Sequence, residues 1–153
     1  MSKRFLRTLS LTMIFGICAS FRSFSQSSEQ ITKILDSQKA SLAQVSYLPA
    51  LYKNLITEND SEQKAFDSLQ EAGIILEGEN ADSEANLAQV SRILLKSLGI
   101  KGGVFYTLFG SDRYAFKELK ARGVFPLSAD PSTKISGRDF MDIFNSTLEL
   151  TGE

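Results

Sequence analysis

Apolar residues recur along this chain at intervals of three and four, the spacing that gathers them on one face of a helix. Between Ser28 and Leu48 the positions Ile31, Ile34, Leu35, Leu42 and Val45 keep that spacing. They predict one helix or two joined near Ser41, with Pro49 limiting the end. Ser61 is a good N-cap, and Ala65, Phe66, Leu69 and Ala72 share a face before Gly73, which predicts a helix stopped by that glycine. After an acidic loop, Asn86 opens a helix that buries Leu87, Val90, Ile93, Leu94 and Leu98 and ends at Gly99. Little of the chain alternates as a half-buried strand would.

The same grammar then returns. Shifted by 50 residues, the segment 57–100 meets 107–150 with eight identities in 44 ungapped positions, against roughly three expected from average residue usage. Ser61 meets Ser111, Ala65-Phe66 meets Ala115-Phe116, Leu69 meets Leu119, and Gly73 meets Gly123. The mismatches keep their apolar character, as in Ile75/Phe125, Ala85/Ile135 and Val90/Phe140. Each unit reads as a capped helix, a Gly stop, a short strand-like apolar piece, a polar loop and a second capped helix. The pentapeptide Leu42-Ala43-Gln44-Val45-Ser46 also recurs letter for letter from Leu87 to Ser91. That match fits either a degenerate third unit or two helices that chose common residues. The expected fold is mainly α, a compact helical bundle of two units with room for a third.

Charge and composition narrow the chemistry. Residues 1–25 carry Lys3, Arg4 and Arg7, an apolar run from Leu9 to Phe21, and small residues at Ser23 and Ser25, which together read as a secretory signal peptide cleaved after Ser25. The apolar run is shorter than the roughly 20 residues of a bilayer span. Cys18 follows the bulky Ile17, so lipid attachment there is not expected. Removing this leader leaves 13 basic against 18 acidic side chains, a balance that argues against a nucleic-acid surface. The chain has no histidine and its one cysteine lies in the leader, so zinc sites, thiol enzymes and histidine-based triads are excluded, and no metal or cofactor is expected. The anticipated organisation is a leader over 1–25, an N-terminal helical segment over 26–56, one unit over 57–100, and a connector with the second unit over 101–153.

A helix ending in Gly-apolar-apolar, a polar loop, and then Ser/Thr/Asn-x-x-acid opening a second apolar helix resembles the S-layer homology (SLH) module. The matching stretches run from Ala65 to Ile100 and from Ala115 to Leu150. Capping boxes at Asn86/Gln89 and Ser136/Asp139 would start the second helices. The resemblance implies a bacterial envelope location and a cell-wall polymer or envelope protein as partner, bound in grooves between units. SLH modules typically open that helix with a Thr-Arg-Ala-Glu-like tetrapeptide whose basic residue helps bind anionic wall polysaccharide. This chain has Asn86-Leu87-Ala88-Gln89 and Ser136-Gly137-Arg138-Asp139 there, with Arg138 displaced by one position.

The least repeat-like stretch runs from Gly99 to Tyr114 and is rich in aromatics. As a connector it would pack Val104, Phe105, Leu108 and Phe109 against the core, the usual fate of such clusters. As a ligand groove it would present Tyr106, Arg113 and Tyr114. With Arg138 and Asp139, these are the candidate ligand-binding residues; none is expected to be catalytic. The loop of Glu77, Glu79, Asp82 and Glu84 lacks the spacing of a calcium loop and reads as solvated. The expected function is therefore a non-enzymatic secreted binding module. An assembly subunit of an envelope complex, touching its neighbours through Phe105 to Tyr114, is the alternative. A carboxylate glycan hydrolase, using for instance Glu71 and Asp139, is a further one.

Overall fold

The computed structural model describes residues 22–152, with side chains from Ser28 onward. Most of the expected leader, Cys18 included, lies outside the described residues. Among the described residues seven α-helices follow one another: α1 (Arg22–Asp36), α2 (Leu42–Tyr52), α3 (Glu62–Glu71), α4 (Leu87–Ser97), α5 (Val104–Phe109), α6 (Asp112–Ala121) and α7 (Gly137–Glu149), with a 3-10 turn at Leu150–Gly152. Among the described residues there is no strand and no helix long and apolar enough to cross a membrane. The mainly α bundle read from periodicity is therefore the observed fold. Two local expectations change. The apolar pieces after Gly73 and Gly123 are turns rather than strands. Pro49 lies inside α2, which continues to Tyr52.

Helices α2, α4 and α7 pack on one another at the centre, and each carries an outer helix: α3 on α2, α6 on α4, and α1 on α7. The chain thus closes on itself, its first described helix completing the last hairpin. The three central helices start alike. Ser41 with Gln44, Asn86 with Gln89, and Ser136 with Asp139 each form a full capping box, which contributes about 1 kcal/mol per cap. The first helical N–H of each is taken by the loop of the next unit around the ring. Leu42 donates to Ser83 O at 2.9 Å, Leu87 to Thr133 O at 3.0 Å, and Gly137 to Ser37 O at 2.9 Å. Donors that a helix start leaves unpaired are therefore satisfied by the neighbouring unit. At the junction Ala40 donates to Ile135 O and Ala85 to Ala40 O, both at 2.8 Å, and all three residues are buried. The recurring pentapeptide thus occupies the same place in two hairpins, and its serines Ser46 and Ser91 both bond back to the carbonyl four residues earlier at 2.6 Å.

The 50-residue shift holds in space as well. Ala65/Ala115, Phe66/Phe116 and Leu69/Leu119 are all buried. Gly73 and Gly123 have φ of 67° and 82°, which lets the next residue turn back and donate to the helix: Ile74 to Leu69 O at 2.9 Å, Val124 to Leu119 O at 3.0 Å. A side chain at a left-handed residue meets the backbone, so glycine is the residue that makes this turn without strain. Ile75 and Phe125 then enter the core, and Phe125 stacks on Phe116 with centroids 5.2 Å apart. Gly137 serves a different need. A β-carbon there would lie 1.6 Å from Ile34 O, so glycine lets the end of α1 seat against the start of α7.

Candidate functional site

Helix α5 sits on the outside of the bundle between α4 and α6. It has six residues, of which none is buried. Val104, Phe105, Leu108 and Phe109 are exposed by 72, 65, 70 and 61%, so the connector does not pack these side chains inward as its composition suggested. The physical reason is length. Six residues make fewer than two turns, and the only side chain that turns in is Tyr106, whose ring lies where a β-carbon of Gly102 would be. The helix is nonetheless tied down at its base. Gly103 N–H donates to Glu118 Oε2 at 2.8 Å, and Arg122 bonds both Glu118 Oε1 and Lys101 O. Tyr114, from α6, stacks with Phe109 at 5.2 Å and with Phe105 at 6.1 Å, and Lys117 Nζ lies 5.3 Å from the Tyr114 centroid. A cavity of about 290 Å³ opens between the two helices, lined by Gly103 to Tyr106, Tyr114, Lys117 and Glu118.

Beneath α5 lies a buried charge network. Arg92 is fully buried. Its guanidinium reaches Glu79 Oε2 at 2.5 Å and Asp112 Oδ1 at 2.8 Å, while Gln89 donates to the other Glu79 oxygen at 2.8 Å. Burial pushes the Asp112 carboxyl above its usual range, an effect opposed by the nearby Arg92. The Tyr106 hydroxyl is likewise raised, chiefly by burial. Tyr106 Oη and Arg92 Nε are buried with no hydrogen-bond partner among the described residues. The network clamps the first loop to α4 and α6, so Glu79 is turned inward rather than solvated. Sequence reasoning missed Arg92 and Asp112. A lone arginine in the buried stripe of α4 was the available signal, since an uncompensated guanidinium is too costly to bury.

A second concavity lies at the start of α7. It encloses about 380 Å³ and is lined by the apolar residues Leu87, Val124, Phe125, Pro126, Ala129, Ile135 and Ile143, with Thr133, Lys134, Asp139 and Asp142 at its polar edge. The candidate residues therefore fall into two groups. Tyr106 and Tyr114 line the cavity at α5, whereas Arg113, exposed on α6, is not part of that lining. Asp139 lines the second concavity, and Arg138 is exposed on the first turn of α7. The Asp139 carboxyl is held below its usual range, first by the Ser136 hydroxyl and then by the Ser136 N–H. It is thus a cap and a poor proton donor. At the position of the SLH-type basic residue, Leu42 and Leu87 are buried and Gly137 faces Ile34. Among the described residues, no group of His, Cys, Asp and Glu is placed to hold a metal ion.

Among the described residues the fold and these surfaces define an all-helical arrangement of three packed helix pairs around a cyclic junction, with one exposed aromatic helix. No protein-family model, curated protein or solved structure matches the chain.

Proposed function

We propose that this protein is a non-enzymatic, secreted component of a bacterial envelope that docks a partner protein through α5. The observation that carries the reading is the concentration of four large exposed apolar side chains on one short helix whose base is fixed by Glu118 and Arg122. A preorganised aromatic and aliphatic patch with a basic neighbour is what protein-interface anchors are made of. Val104 and Leu108 offer nothing to sugar hydroxyls, which favours a protein over a wall glycan. A helix of six residues is also too small to hold a membrane surface alone. The envelope location rests on the basic-apolar-small pattern of residues 1–25 and on the SLH-like repeat.

The test places a photoreactive residue at position 108 and, as control, at the exposed position 128, and cross-links in intact cells. One stoichiometric protein captured at 108 only, binding again when purified, and lost in the Phe105→Ser/Phe109→Ser variant at unchanged Tm, is the expected result. Labelling of lipid alone, saturable retention on wall glycan that ignores the double variant, or equal capture from 128 would each overturn the reading. N-terminal sequencing of the exported chain checks the leader, with Gln26 expected first; a chain retaining Met1 inside the cell would refute export.

A further inference from the structure

The two copies related by the 50-residue shift share no identical residue between 74–92 and 124–142, where each loop meets its second helix. Three positions that line the concavity beside α7 are Ala129, Asp139 and Asp142. Their counterparts in the first copy are Glu79, Gln89 and Arg92, the residues that bond to one another and fill the equivalent space. At α2, where the repeat spacing is 45, the counterpart of Arg92 is Tyr47, which is fully buried with its hydroxyl on Glu58 O at 3.0 Å. Of the equivalent residues Tyr47, Arg92 and Asp142, Asp142 alone is exposed. The second copy therefore has the groove without its plug: Glu79 is replaced by a methyl group, and the guanidinium by a carboxylate.

We propose that this groove receives an arginine side chain from a partner polypeptide, with Asp142 and Asp139 as its carboxylate partners. Charge complementarity selects the occupant. Asp142 makes no hydrogen bond or ion pair among the described residues, and Asp139 uses Oδ2 for Ser136. Of the cations at the rim, Lys134 reaches away to Glu84 O at 2.6 Å and Lys120 is held on the Ala129 carbonyl at 3.0 Å, so neither bonds to Asp139 or Asp142. The floor of Leu87, Phe125, Ile135 and Ile143 suits the aliphatic stem of an arginine, whose head would sit at the carboxylates. The first copy supplies the internal precedent, a guanidinium held between Glu79 and Asp112 over the same kind of floor. The proposal does not depend on α5 binding anything.

The probe is an acetylated, amidated peptide with one arginine between apolar residues, titrated into the 15N-labelled protein at low salt, with the isosteric citrulline peptide as control. Saturable shifts at Ala129, Thr133 and Asp142 with the arginine peptide are expected. Asp142→Asn should weaken binding about tenfold, the worth of one charge-assisted contact. A variant that rebuilds the plug, Ala129→Glu/Asp139→Gln/Asp142→Arg, should stay folded and abolish the shifts. Equal shifts with citrulline, shifts that map elsewhere, undiminished binding to the rebuilt variant, or no saturation would overturn the proposal.

Discussion

Replacing Gly137 by alanine puts two physical effects in opposition. Helix propensity alone favours alanine by up to about 1 kcal/mol. The structure predicts the reverse, because the new β-carbon would lie 1.6 Å from Ile34 O, 2.5 Å from Ile34 C and 3.3 Å from Leu35 N. Those atoms are backbone, so relief requires α1 to move as a body by well over 1 Å. Two consequences follow. The Gly137 N–H bond to Ser37 O at 2.9 Å is lost, worth about 0.5–1.5 kcal/mol, and Ile34, fully buried, is partly released, worth about 1.5–3 kcal/mol when complete. With the propensity gain set against these losses, a net destabilisation of about 1–3 kcal/mol is expected. The assay is urea unfolding with Gly152→Ala as control, because a β-carbon at Gly152 meets nothing within 4 Å. Undocking of α1 would also lower m, since less surface remains to be exposed on unfolding, and would speed tryptic cleavage at Lys33 and Lys39. Unchanged or increased stability in Gly137→Ala would refute the closure of the ring by α1.

The remaining predictions concern the repeat and its charges. Gly73→Val and Gly123→Val should each cost more than about 1 kcal/mol from backbone strain alone, as a β-carbon at either site meets nothing within 4 Å; unchanged Tm values would refute the Gly-stop turn. Arg92→Met should destabilise by about 1–3 kcal/mol, below the figure for a broken buried pair because Glu79 and Asp112 retain some access to water; chemical denaturation checks it, and a neutral result would mean the pair is not formed. The Asp60 carboxyl, held down to about 2 by Lys64 and then by the Thr57 N–H and hydroxyl, should titrate there in carboxyl-carbon NMR and shift upward in Lys64→Ala. Since its folded pKa is depressed, its contribution to stability is present above the ordinary aspartate range and is lost as pH falls toward 2.

What was legible in the sequence follows from what is local. Capping at Ser61, Asn86 and Ser136, the stops at Gly73, Gly99 and Gly123, and the buried faces of α4 and α7 depend on residues within one or two turns of each other. The repeat was visible because the same local grammar recurs at a fixed spacing. Three features were decided only in three dimensions. The docking of α1 on α7 joins segments about 100 residues apart through a missing side chain, and an absent β-carbon leaves no apolar signal. The fate of α5 depended on whether the neighbouring helices left room for its aromatics, and they did so only for Tyr106. The role of Glu79 was set by Arg92, thirteen residues away and a loop apart: an acid that reads as solvated beside Glu77 and Asp82 turns inward because a buried guanidinium needs a counter-charge. Periodicity records which side of a helix faces the protein; what waits on that side belongs to the tertiary structure, because desolvation and close approach are properties of pairs of segments and not of either one.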